Sequence, residues 1–308
     1  MKLFNSKETV ASEQKAGGGC HLPLSLFWQN KFLIFYSIIF IISILSFVMI
    51  RGSEIEDDKA LEEQQTLLYE DKQMAIETEE VIELESAPES VVCPTEPCEE
   101  VIPTMLPEYE ALYAQNEDFI GWLNIEDTVI DYPVMQCAEN ENFYLSHNFY
   151  KEENKNGCLI LDNDSNAGIG TKEQEYVNGS KPSTNLIIHG HTMKSGQIFG
   201  NLKLYQDKEY GLSHNIICFD SLYEKREYEL VAVFYSQVYY QSQDVFKYYK
   251  FFQANTQDEF DDWYNNIKEM SLYDTGVTAE FGDEFITLSC CAYHVEDGRF
   301  VVVGKRIY

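Results

Sequence analysis

Near the C-terminus two cysteines, Cys290 and Cys291, stand side by side at the end of an apolar run, and Arg299 opens the next apolar run. Paired as a hairpin, these runs bring Cys291, leaving one strand, beside Arg299, entering the other, with Gly298 to help the turn. A fixed positive charge beside a cysteine favours thiolate over thiol, and the thiolate is the nucleophile. The same guanidinium can stabilise an oxyanion in acyl transfer. Hairpin geometry alone is equally met by a strand cysteine that lies near an exposed arginine by chance.

A nucleophilic cysteine also needs a group that takes and returns a proton, usually His. His21 precedes a long apolar segment, whereas His147, His189, His191, His214 and His294 follow it, as Cys291 does. His191 lies just past Gly190 at the end of an apolar run, where a loop side chain reaches a neighbouring strand end. His189 projects to the same side if the strand runs on, but the glycine interrupts it. Local reasoning leans to His191 and leaves the choice among the five open.

The elements that must position these groups begin at about residue 106. Short strands are read at 122–125, within "TVIDYPVM", "GCLILD", "TNLIIHGH", "HNIICFD" and "EYELVAVFYSQVYY", and at 284–290 and 299–307. One helix is strongly marked. Thr256 with Glu259 makes a capping box, and Phe260, Trp263, Ile267 and Met270 line one face. The expected fold is mostly β with peripheral helices, a closed or nearly closed β-barrel of seven to eight strands.

Ahead of this region, residues 32–50 form an uninterrupted apolar run between Lys31 and Arg51. As a helix it spans about 28 Å, close to the hydrocarbon thickness of a bilayer. It is longer than a signal-peptide core and lacks a small-residue cleavage site after Ile50, so it reads as a retained single-pass transmembrane anchor. Lys2, Lys7, Lys15 and Lys31 precede it, which keeps residues 1–31 cytoplasmic and exports the rest. Residues 51–105 read as an acidic extracellular stalk, partly disordered, with apolar residues seven apart at Leu61, Leu68, Ala75 and Ile82. Roughly half of the net charge of −30 lies there. So acidic a chain is no nucleic-acid binder. Cys93 and Cys98 could pair in an oxidising exterior, and Cys137, Cys158 and Cys218 read as small core residues.

"NLIIHGHTM", followed a hundred residues later by "TLSCC" and "GRFVVVGKRI", resembles the sortase signature. "LYAQNEDFIGWLNIEDTVIDYPVMQ", "NFYLSHNFY" and "GCLILD", with the long helix before the nucleophile strand, resemble the class B branch. The resemblance covers residues 106–308, which makes that stretch the catalytic domain. It implies a cysteine transpeptidase in which Cys291 is the nucleophile, His191 the proton carrier and Arg299 the oxyanion or backbone holder. It further implies that Ser289, Leu145 and Asn142 line the peptide groove. The implied substrate is a secreted protein with a C-terminal sorting signal of the NPxT[GN] kind, cleaved after Thr through a thioacyl enzyme. The implied acceptor is an amine of the peptidoglycan precursor, and no metal or organic cofactor is called for. Cys290 stands where the family usually has Thr, and His189 where it has Tyr. Cys290 should face away from Cys291 into packing. No third acid is assigned, since Ala292, Tyr293 and His294 follow the nucleophile.

Three other readings stand beside this one. A pilus-polymerising sortase would share the signature. A wall-directed cysteine peptidase would place its nucleophile at a helix start rather than a strand end. A membrane-anchored extracellular binding protein would need no nucleophile at all.

Overall fold

The computed structural model describes residues 24–85, 103–174, 176 and 180–308. Lys2, Lys7, Lys15, Cys20, Cys93 and Cys98 lie outside them, and with them the pairing considered for the last two.

Eight strands close into a barrel: β1 (Phe119–Asn124), β2 (Asp131–Met135), β3 (Leu159–Leu161), β4 (Asn185–Gly190), β5 (Ile216–Ser221), β6 (Glu227–Gln237), β7 (Phe285–Cys291) and β8 (Gly298–Arg306). Around the barrel they run β1-β2-β3-β4-β7-β8-β6-β5. The β4–β7 and β2–β3 pairs are parallel and the rest antiparallel. Closure leaves no free sheet edge.

The alternation of side chains along each strand decides what faces where. In β7, Ile286, Leu288 and Cys290 join the barrel interior with Leu186, Ile188, Phe300 and Val302. The intervening residues face outward, where Phe285, Val301 and Val303 are covered by a helix, α3 (Gln257–Met270). Phe260, Trp263 and Ile267 of that helix are buried, as its amphipathic pattern requires, while Met270 is half-buried. The capping box forms in a displaced version. The Thr256 hydroxyl accepts from the Glu259 amide, but the Glu259 carboxylate accepts from the Asn255 amide.

Helix α1 (Leu24–Glu85) is one continuous element. The described residues fall into two compact units, divided between Glu54 and Ile55. From residue 32 to 50 the apolar residues of α1 are exposed, and an 18-residue window reaches a mean hydropathy of 2.8, long and apolar enough to cross a membrane. In the second unit the structure departs from the spacer expectation. Leu61 and Leu68 are buried against the barrel, at 5% and 1% exposure. Leu61 and Leu68 thus form the stripe of a docked helix rather than of a free stalk. Lys72 adds to the docking. Its ammonium lies 5.2 Å from the ring centre of Tyr109 and 4.8 Å from that of Trp122. Burial lowers its pKa, opposed by the charges of Asp220 and Asp131.

A second helix, α2 (Pro107–Gln115), starts with proline at its first turn, a position that has no use for the missing N–H. Its Tyr109 and Leu112 pack on Phe119 and Trp122. Of the three expected core cysteines, Cys158 is buried, whereas Cys137 and Cys218 are half-exposed.

Candidate active site

Cys291 closes β7 and Arg299 is the second residue of β8, and the antiparallel ladder makes them direct partners. Gly298 sits at the start of that ladder. A Cβ there would run into the Ala292 carbonyl and come within 2.9 Å of the His294 ring. The left-handed residue of the turn is Asp297, at φ 52°. The turn holds the arginine close to its own backbone: Nη1 of Arg299 donates to the carbonyls of Gly298 at 3.0 Å and Asp297 at 3.3 Å. Among the described residues Arg299 has no carboxylate partner, so its charge is not neutralised.

β4 lies on the other side of β7. The parallel register pairs Gly190 with Cys290, which puts His191 in line with Cys291 as the chain leaves the strand. Gly190 is needed for the interior rather than for a turn. A Cβ would come within 2.6 Å of Leu159 Cδ2 and of the Phe199 ring. The ring of His191 is anchored through Nε2, which lies 2.8 Å from the Leu145 carbonyl. A carbonyl only accepts, so Nε2 carries the proton and Nδ1 is the nitrogen free to exchange one. Thr192, next in the chain, donates from its hydroxyl to the Cys291 carbonyl at 2.6 Å.

The adjacent thiols differ as the pleat dictates. Cys290 is 2% exposed inside the barrel, and burial pushes its thiol up to about 11. Cys291 is half-buried on the outer face, and both are free thiols. An inner thiol in that setting is a hydrophobe and the outer one is available for chemistry.

The remaining sequence-derived residues fall into different places. Leu145 ends a 3-10 turn, Phe143–Leu145, and its carbonyl is the acceptor for His191. Ser289 shares the outer face with Cys291 but is 1% exposed, its hydroxyl 2.7 Å from that of Tyr248. Asn142 precedes the 3-10 turn and is exposed, its side-chain amide donating to the Glu141 carboxylate at 3.4 Å. His189 turns to Asp162, with Nε2 3.0 Å from Oδ2. Burial raises the Asp162 carboxyl, but the hydrogen bonds from His189 and the Asp164 amide outweigh it and hold it below the usual carboxylate range. His294 is exposed and packs edge-on against Tyr235.

Sequence reasoning did not find Thr192, Asp162 or Tyr248. Thr192 is adjacent to His191, but its link to residue 291 exists only through the β4–β7 pairing. Asp162 and Tyr248 are brought in by turns whose shapes have no periodic signature.

Comparison with known proteins now bears on this site. No family model matches the chain. Sortase B of Listeria monocytogenes is 33% identical over 202 residues, covering 65% of this chain and 74% of that protein. Sortase B of Staphylococcus aureus is 28% identical over 203 residues, covering 65% and 75%. The crystal structure of sortase B from Bacillus anthracis in complex with AAEK1 superposes with a TM-score of 0.53 at 29% identity, covering 68% of this chain and 88% of that one. Barrel and relatives agree on a sortase, a cysteine transpeptidase. Within that class, the chain belongs to the sortase B family.

Proposed function

We propose that the protein cleaves a C-terminal sorting signal of the NPxT[GN] kind in secreted proteins and joins the new carboxyl end to an amine of the peptidoglycan precursor. The observation that carries this reading is the ladder of three neighbouring strand ends, with residue 291 between residues 191 and 299. The Cys291 thiolate attacks the carbonyl carbon of the signal's Thr, and Arg299 holds the oxyanion or the substrate backbone. His191 gives a proton to the departing amine as the C–N bond breaks, leaving a thioester on Cys291. The incoming amine returns a proton to His191 and attacks that thioester, and the C–S bond breaks to restore the thiolate. Leu145 holds His191 through its carbonyl and lines the peptide groove, with Ser289 and Asn142 as further groove residues.

The apolar part of α1 is the single-pass anchor in this reading, with the N-terminus cytoplasmic and residues 106–308 forming the exported catalytic domain. Substrate and lipid-linked acceptor both emerge at the membrane, where an anchored enzyme meets them.

The test uses the full chain in detergent micelles with fluorogenic NPxTG and NPxTN peptides, with and without triglycine. Cleavage lost in Cys291→Ala, His191→Ala and Arg299→Ala, with ligation only when the amine is present, is the expected result. Release without ligation at any amine concentration would instead favour a wall-directed peptidase.

A further inference from the structure

We infer that the part of α1 beyond residue 55 is a positioning element of the active site, acting on the loop that carries His191. The inference rests on the role proposed for that histidine.

After His191 the chain loops through Thr192 to Phe199 before turning back into the fold. Thr192 forms an isolated bridge with Ile198, and the Phe199 amide donates to the His191 carbonyl at 3.1 Å. The loop is therefore closed on itself, and whatever fixes Ile198 fixes its first residue too. Ile198 is held at φ 53°, a left-handed conformation that a β-branched side chain seldom adopts. Such a residue persists only where its surroundings impose it, and strained positions of this kind cluster at functional sites.

Two elements impose it. The Tyr132 hydroxyl of β2 accepts from the Ile198 amide at 3.1 Å. The second element is α1. Leu61 is buried in the cluster that contains Tyr132, Ile198 and Phe199. One residue on, the Glu62 carboxylate accepts from the Gln197 side-chain amide at 3.0 Å, and that amide also reaches the Asp58 carbonyl at 3.4 Å. The Ser195 hydroxyl donates to the Asp58 carboxylate at 3.3 Å. Three helix positions on one face, 58, 61 and 62, thus grip the middle and far end of the His191 loop. At its near end, Thr192 is bonded to the Cys291 carbonyl. The helix therefore sets the separation of imidazole and sulfur through a short, contiguous chain of contacts.

A misplacement of about 1 Å at a reacting group can cost ~100-fold in rate. Loosening the grip should accordingly lower kcat while leaving peptide affinity nearly intact. The experiment measures kcat, KM, the pH profile of kcat/KM and the thermal midpoint for the full chain in detergent micelles. The variants are Leu61→Ala, Leu61→Met, Gln197→Ala and His191→Ala. Leu61→Ala and Gln197→Ala are expected to lose ~10-fold or more in kcat at a temperature well below their midpoints, with KM within about twofold. Leu61→Met, which refills the space, is expected to restore most of kcat. Gln197→Ala keeps the apolar packing and so serves if Leu61→Ala does not fold. Normal kcat and an unchanged pH profile in Gln197→Ala and in any folded Leu61→Ala, with inactive His191→Ala, would overturn this inference alone. Activity retained in His191→Ala would overturn the histidine's role and this inference together.

Discussion

Cys291 and Arg299 are direct cross-strand partners in the β7–β8 ladder, while Cys290 beside them pairs with Phe300 and points into the barrel. One residue of register thus separates a thiol on the outer face, cross-strand from Arg299, from a thiol among hydrocarbon side chains.

That contrast predicts selective modification. Iodoacetamide at neutral pH is expected to alkylate Cys291 in the folded protein and to leave Cys290 untouched until denaturant is added. Burial, which raises the Cys290 thiol to about 11, keeps it protonated and out of reach. Peptide mapping by mass spectrometry distinguishes the two sites, and equal labelling of both in the folded state would contradict the assignment of faces.

Gly190→Ala is expected to destabilise the fold by about 1–3 kcal/mol, the usual cost of overpacking. The added methyl would meet Leu159 and the Phe199 ring at 2.6 Å. A lowered midpoint in urea with an unchanged m-value is the expected result.

Much of this was legible in the sequence. The hairpin of Cys291 and Arg299 followed from two apolar runs and a glycine, and α3 from its capping residues and amphipathic face. Both are local patterns, and local patterns survive folding. The acidic segment was misjudged for a physical reason. Charge made residues 51–105 look solvated, yet in the described part Leu61 and Leu68 lie buried on one helical stripe against a complementary wall. That wall is built from residues more than forty positions away, such as Tyr109 and Tyr132, and no short window of sequence contains both. Ser289 shows a second limit. The resemblance alone assigned it to the peptide groove, and the loop that brings Tyr248 over its hydroxyl could not be foreseen.

Docking of α1 makes its own prediction. Leu68 is 1% exposed in a cluster with Tyr109, Phe119 and Trp122. Leu68→Ala is expected to cost about 2–5 kcal/mol in chemical unfolding. A free stalk would show no change.

Acid should weaken the anchor of His189. The Asp162 carboxyl is held below its unfolded value, about 3.9 for an ordinary Asp. Its stabilising contribution is therefore complete above that unfolded value and is lost as the pH falls through the lower folded one. Asp162→Asn should be less stable than the parent by a constant margin above about pH 5, and the margin should shrink below about pH 4. Unfolding midpoints measured across that range check the sign. A margin that widens on acidification would contradict it.

The central claim is covalent chemistry at residue 291. Mass spectrometry of the full chain, quenched in acid soon after mixing with an NPxTG peptide and no added amine, tests it most directly. The account predicts an adduct of the peptide up to and including its Thr, mapped to Cys291 and discharged by triglycine. Absence of any adduct together with undiminished cleavage in Cys291→Ala would contradict it.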